Sequence, residues 1–176
     1  YNTAVGHEAL KTNATGCYNT AIGSYALCLN TACFNTAFGA NTLKANTTGK
    51  FNVADGYGAL AANTTATRNT AMGYTALAAT TTGEKNIAIG MAAMESNTTG
   101  ACNTAHGMCA LGSTTTGGHN TAMGYNAAKF NTTGIWNVAV GRQALYNNTT
   151  AHYNTAVGGC TLYANTTGAA NTGVGY

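Results

Sequence analysis

Apolar and polar positions in this chain recur every 17 residues, a period that neither a helix nor a single strand explains. Each repeat, numbered from its asparagine, carries Asn at position 1, a β-branched residue at 2, Ala at 3 and Gly at 5. Position 4 is mostly large and apolar: Val5, Ile22, Phe38, Met72, Ile89, Met123, Val140, Val157 and Val174. Position 8 is Ala or Thr, position 9 is Leu in eight of ten repeats, and positions 12–15 read Asn-Thr-Thr-Gly or a close relative. The repeats begin at Asn2, Asn19, Asn35, Asn52, Asn69, Asn86, Asn103, Asn120, Asn137 and Asn154, with an eleventh started at Asn171. Every step is 17 residues except the 16 between Asn19 and Asn35.

Helices fit this pattern badly. Glycine costs about 1 kcal/mol in a helix interior and β-branched Thr adds to that, while glycines near positions 5 and 15 leave too little room for two full turns. Short strands at positions 1–4 and about 8–11, separated by glycine-containing turns, fit better. The pattern therefore predicts an all-β protein: a parallel β-solenoid, or β-roll, of about ten 17-residue coils with two short strands per coil. Residues 1–176 form one repeat array, and its ends cut the pattern mid-repeat, which leads us to expect a segment of a longer fibre.

No coil stands alone on this reading. Burying one Leu yields roughly 1.5–3 kcal/mol, whereas ordering each backbone residue costs about 1–2 kcal/mol. Stacking at about 4.8 Å per coil supplies the remainder and makes a rod about 50 Å long. The eleven position-1 asparagines would then form a ladder, amide to amide. In a strand, positions 1, 3 and 5 face one way and 2 and 4 the other. The first set is small and suits the inside of a narrow coil; the second is β-branched and apolar. An outward stripe of that kind is an association surface, so side-by-side assembly of several chains, three being the natural number, is expected. Were positions 2 and 4 instead the core of one chain, Ala and Asn would point outward.

Composition narrows the function. Charged residues make up 6% of the chain, against about 25% in typical soluble domains. The net charge of +3 is small and scattered, with no Lys or Arg run, which argues against a nucleic-acid partner. No apolar stretch approaches the ~18 residues of a membrane span, so no membrane insertion is expected.

Asn-Thr-Ala-Ile-Gly at 19–23 and Asn-Ile-Ala-Ile-Gly at 86–90, each followed by x-x-Ala-(Leu/Met), resemble the head repeats of trimeric autotransporter adhesins. They look closer still to the repeat arrays of bacteriophage and bacterial tail-fibre-like proteins. The resemblance spans essentially the whole chain. It implies a homotrimeric, parallel β-roll shaft or head displayed outside a cell or on a virion, acting structurally to space or present binding elements. Adhesin heads use shorter repeats, so these coils would carry a longer turn.

Candidate chemistry is sparse. Glu8, Asp55, Glu84 and Glu95 lie in different coils and at four repeat positions, and His7, His106, His119 and His152 are equally dispersed. No nucleophile has a base and an orienting group at matching positions, so neither an enzyme nor a cofactor is expected. Asp55 and His106 occupy the otherwise apolar position 4. On a threefold axis each would meet two copies of itself, making them candidate metal or ion positions; drift at a tolerant position is the plainer account.

Cys17 and Cys33 share one position in adjacent coils, within disulfide reach at the coil spacing. Cys28, Cys102, Cys109 and Cys160 read as small apolar fillers. Asn-x-Ser/Thr occurs at Asn13, Asn46, Asn63, Asn97, Asn131, Asn147, Asn148 and Asn165, which are candidate N-glycosylation sites or plain turn chemistry. Aromatic residues gather at position 17 (Tyr1, Tyr18, Phe34, Phe51, Trp136, Tyr153) and position 6 (Tyr57, Tyr74, Tyr125, Tyr176). Such ladders stabilise neighbouring coils, and Tyr57, Tyr74 and Tyr125 are also candidate contacts for a cell-surface glycan or receptor. Ice binding by the Thr at positions 13 and 14 is a weaker alternative, because ice faces need outward Thr at i and i+2.

Overall fold

A computed structural model describes all 176 residues, and the architecture is a parallel β-solenoid. Eleven three-residue strands run from β1 (Thr3–Val5) through β6 (Ile87–Ile89) to β11 (Thr172–Val174) and form one sheet in strict chain order. Each strand occupies positions 2–4 and pairs with the same positions of the next coil, as Ile87, Ala88 and Ile89 do with Thr104, Ala105 and His106. The 16-residue step leaves that register intact, since Thr20 still faces Thr36. Coil 2 lacks position 14, which elsewhere holds an outward Thr such as Thr48 or Thr65, so the deletion costs the core nothing.

Inside and outside divide as strand alternation requires. Asn at position 1 and Ala at position 3 are buried from coil 2 to coil 10, whereas positions 2 and 4 are half-buried or exposed. Positions 8 and 9 complete the apolar core, with Leu27, Leu43, Leu60, Leu77, Met94, Leu111 and Leu145 fully buried. The arrangement with positions 2 and 4 as core is thereby excluded for the single chain.

The expected second strand does not form; each coil carries one strand, not two. Positions 8 and 9 are adjacent and both buried, as Ala76 and Leu77 are, and strand alternation would have turned one of them to solvent. Left-handed backbone at positions 7 and 9 resolves the conflict, with φ of 52° at Thr75 and 53° at Leu77. The segment hydrogen-bonds alternately within and between coils: Ala76 N–H to Gly73 O at 3.3 Å, then Leu77 N–H to Ala93 O at 3.0 Å. Such conformations cost L residues about 1–2 kcal/mol each. Twenty-nine non-glycine residues adopt them, at positions 7, 9 and 17, held there by the coils on either side. Only 20 of the 117 backbone hydrogen bonds lie within the strand ladder, so most of the backbone bonding, within and between coils, falls outside the three-residue strands.

Glycine at position 5 has a separate origin. Its φ lies between 116° and 141°, and a Cβ on Gly90 would sit 2.7 Å from the Gly107 carbonyl. Gly58, at position 7, has φ of 67° and only the Thr75 methyl, 3.8 Å away, near its missing Cβ. We therefore expect Gly90→Ala to destabilise the rod by about 3 kcal/mol or more. Gly58→Ala has room for its methyl and should cost only the about 1–2 kcal/mol of the left-handed backbone; urea unfolding of the two variants checks the contrast.

Candidate functional site

The built feature of this molecule is a pair of amide columns running the length of the solenoid. At position 1, each Asn Oδ1 accepts the backbone N–H of the next coil's Asn; Asn86 Oδ1 takes Asn103 N–H at 2.9 Å. From Asn2 to Asn137 the same side chain's Nδ2 donates to the position-15 carbonyl of its own coil, as Asn86 does to Gly100 O at 2.8 Å. One carboxamide thus ties its coil to the next and closes its own turn. Direct amide-to-amide bonds supplement this at five steps, including Asn103 Nδ2 to Asn86 Oδ1 at 3.2 Å.

Position 12 forms the second column. Asn46 Nδ2 donates to Asn30 Oδ1 at 2.7 Å and to Gly49 O at 3.0 Å. Asn148 repeats this with Asn131 Oδ1 at 2.9 Å and Ala151 O at 3.2 Å. These are the asparagines of the sequons. Asn46, Asn63, Asn97, Asn131 and Asn148 are fully buried, and Asn165, though half-buried, makes the same two bonds. Their amide nitrogens face the core and are occupied, so of the two readings of these sequons the structure shows backbone-bonded asparagines in an internal column. Asn147, one position earlier, is the half-buried sequon outside it.

The second column is interrupted where Thr80 and Thr114 replace Asn. The buried acceptors Asn63 Oδ1 and Asn97 Oδ1, each next to one of those threonines, lack a partner, as does Thr114 Oγ1. Sequence reasoning overlooked this column because the Asn-Thr-Thr-Gly run reads as ordinary turn chemistry. The 17-residue spacing of Asn46, Asn63 and Asn97 with Thr80 between them was the signal.

The outer surface carries the remaining predicted positions. Asp55 pairs in register with Phe38 and Met72, and His106 with Ile89 and Met123, all on the outward face of the sheet. They lie three coils apart, so one chain does not bring them together. Tyr57 and Tyr74 stack at 5.6 Å and 13°, whereas Tyr125 stands three coils on, beyond Met91 and Met108 at the same position. At position 17, Tyr1, Tyr18, Phe34 and Phe51 stack at 5.2 Å with planes within 9° of parallel. Arg68 closes that run over Phe51, and His119 stacks on Trp136 at 4.2 Å. Rings stacked this way cover one another's faces and turn their edges outward. A third aromatic run, Phe130, Tyr146 and Tyr163, was missed, although Tyr146 and Tyr163 are 17 residues apart.

The position-13 hydroxyls are spent within the rod, Thr47 Oγ1 donating to Thr64 O at 3.0 Å. Of these two adjacent positions, 14 is the one exposed throughout, and it presents a row one residue wide. Cys17 and Cys33 do meet, Sγ to Sγ at 2.9 Å, as free thiols. The one ion pair joins Lys11 to Glu8 at 2.8 Å, and that hydrogen bond holds the Glu8 carboxyl below its usual range. The solenoid encloses no ligand-sized cavity, and no three His, Cys, Asp or Glu side chains converge. Set against protein-family models, curated proteins and solved structures, the chain matches none.

Two substitutions test the columns. Asn86→Ala strips buried partners from Asn103 N–H and Gly100 O and should cost about 3 kcal/mol. Thr114→Asn supplies a donor for Asn97 Oδ1 and an acceptor for Asn131 Nδ2, and should stabilise by about 1–2 kcal/mol. Thermal midpoints moving in opposite directions are the expected readout.

Proposed function

We propose that this chain is a shaft segment of an extracellular or virion fibre, adhesin- or tail-fibre-like, whose role is structural. Three copies pack side by side, and the rod they form spaces or presents binding elements. The observation that carries this reading is an apolar stripe left over once the core is complete. Val5, Phe38, Val53, Met72, Ile87, Met123 and Val157 all remain exposed on the outer face of the single sheet, while Ala and Leu already fill the inside. A parallel sheet tends to be covered on both faces, and contiguous apolar patches of this kind mark association sites.

Assembly through that face also accounts for the low charge: a rod whose cohesion rests on buried amides and small side chains needs few surface ions along an interface. Face-to-face stacking of the position-17 rings favours a stabilising role for them, because a sugar ring packs on an aromatic face rather than on its edge.

Sedimentation equilibrium at micromolar concentration should return the mass of three chains; a single-chain mass would remove the trimer. Met72→Asp with Ile89→Asp places carboxylates on the stripe and should release single chains. Far-ultraviolet dichroism should stay unchanged, because neither side chain contributes to the core. Retention of the three-chain mass in that variant would place the interface elsewhere.

A further inference from the structure

The coil spacing forces one pair of side chains together that the shaft role does not use. Cys17 and Cys33 occupy position 16 of adjacent coils, half-exposed, with their sulfurs 2.9 Å apart. No other two cysteines share a position in neighbouring coils: Cys109 and Cys160 share position 7 but lie three coils apart, and Cys28 and Cys102 stand alone at theirs. Cys33 Sγ also accepts the Cys17 backbone N–H at 3.1 Å. The next residue along the same column is Lys50, exposed and cationic.

We propose that Cys17 and Cys33 form a thiol–disulfide exchange site that reacts with low-molecular-weight disulfides, Cys33 attacking first and Cys17 resolving. The Cys17 backbone N–H is aimed at Cys33 Sγ at 3.1 Å and stabilises a thiolate there, which leaves the Cys17 thiol to donate across the 2.9 Å contact between the sulfurs. The Cys17 hydrogen bond lowers the Cys33 thiol below its usual range, the Cys17 backbone N–H adds to this, and Lys50 acts in the same direction. Cys17, as the thiol donor, is raised correspondingly. In the first step the Cys33 thiolate attacks one sulfur of the small disulfide, forming a mixed disulfide and expelling a thiolate. Capping Cys33 removes its hydrogen bond with Cys17, whose thiol then loses its proton to the expelled thiolate. In the second step the Cys17 sulfur attacks Cys33 Sγ, and the second small thiolate leaves and takes a proton from water. Two protein thiols are oxidised to one disulfide, and one small disulfide is reduced to two thiols.

The coils suit the product. Equivalent residues of stacked coils are about 4.8 Å apart, inside the usual Cα range of a disulfide, so the bond forms without moving either coil. It ties the end of coil 1 to the end of coil 2 and so encloses the coil that lacks position 14.

The test uses the whole chain incubated with oxidised glutathione, then alkylated, digested and mapped by mass. We expect a peptide linked through Cys17 and Cys33, with Cys28, Cys102, Cys109 and Cys160 still alkylated. Dithiothreitol should reverse the link, and the oxidised protein should melt at a higher temperature than the reduced one. In Cys17→Ser the hydroxyl still donates to Cys33, so glutathione should be trapped on Cys33, several-fold faster than on the exposed Cys102. Alkylation of both Cys17 and Cys33 after oxidation, or equal glutathionylation of Cys33 and Cys102 in Cys17→Ser, overturns the proposal. A linked peptide that dithiothreitol does not reopen, with dichroism showing the rod intact, makes the bond a fixed staple and overturns exchange.

Discussion

The position-1 carboxamide is the interaction on which the rest of the rod depends. A narrow coil has no room for a large apolar core, and Ala and Leu alone would leave the backbone of every turn without partners inside it. Asparagine is short enough to fit and bifunctional enough to serve both directions at once. Its oxygen accepts the next coil's amide hydrogen, and its nitrogen donates to its own coil's position-15 carbonyl. Glutamine would reach too far, aspartate would lose the donor, and serine would span only one of the two contacts. Desolvated hydrogen bonds of this kind are expensive to break singly, because the orphaned partner stays buried. The column therefore makes coil-to-coil stacking cooperative.

Cooperativity explains a feature that would be implausible in an isolated loop. Leu, Trp, Lys and Thr side chains sit on left-handed backbone in coil after coil, each at a local cost that nothing within its own coil repays. The compensation is delivered by the neighbours: at position 9 the amide reaches the next coil, and the Leu side chain stacks on its equivalents in a column without solvent. That is the pattern of a one-dimensional array in which each unit is held by its contacts on both sides.

Much of this was legible in the sequence, and the failures have specific causes. The period, the parallel register and the inward Ala and Asn followed from strand alternation over positions 1–5. Positions 8–11 mislead because Ala-Leu reads as a strand fragment; an adjacent buried pair contradicts a period of two, and left-handed residues are not visible from residue type when Leu and Thr occupy them. Asn46 and its equivalents misled in the other direction. A turn-forming motif says nothing about which way its first side chain points, and here the column turned that side chain inward. Tyr125 shares a repeat position with Tyr57 and Tyr74, yet stacking needs adjacent coils as well. Shared position without adjacency brings nothing together, and Cys109 with Cys160 is the same case.

Because each coil presents one surface to the coil above and the same complementary surface to the coil below, the interfaces do not record how many coils there are. Inserting or deleting a complete repeat preserves the backbone register of the stack and changes the reach of the rod by about 4.8 Å each time. Length is thus the property of this architecture most open to adjustment, in fixed increments, with no refitting of the core.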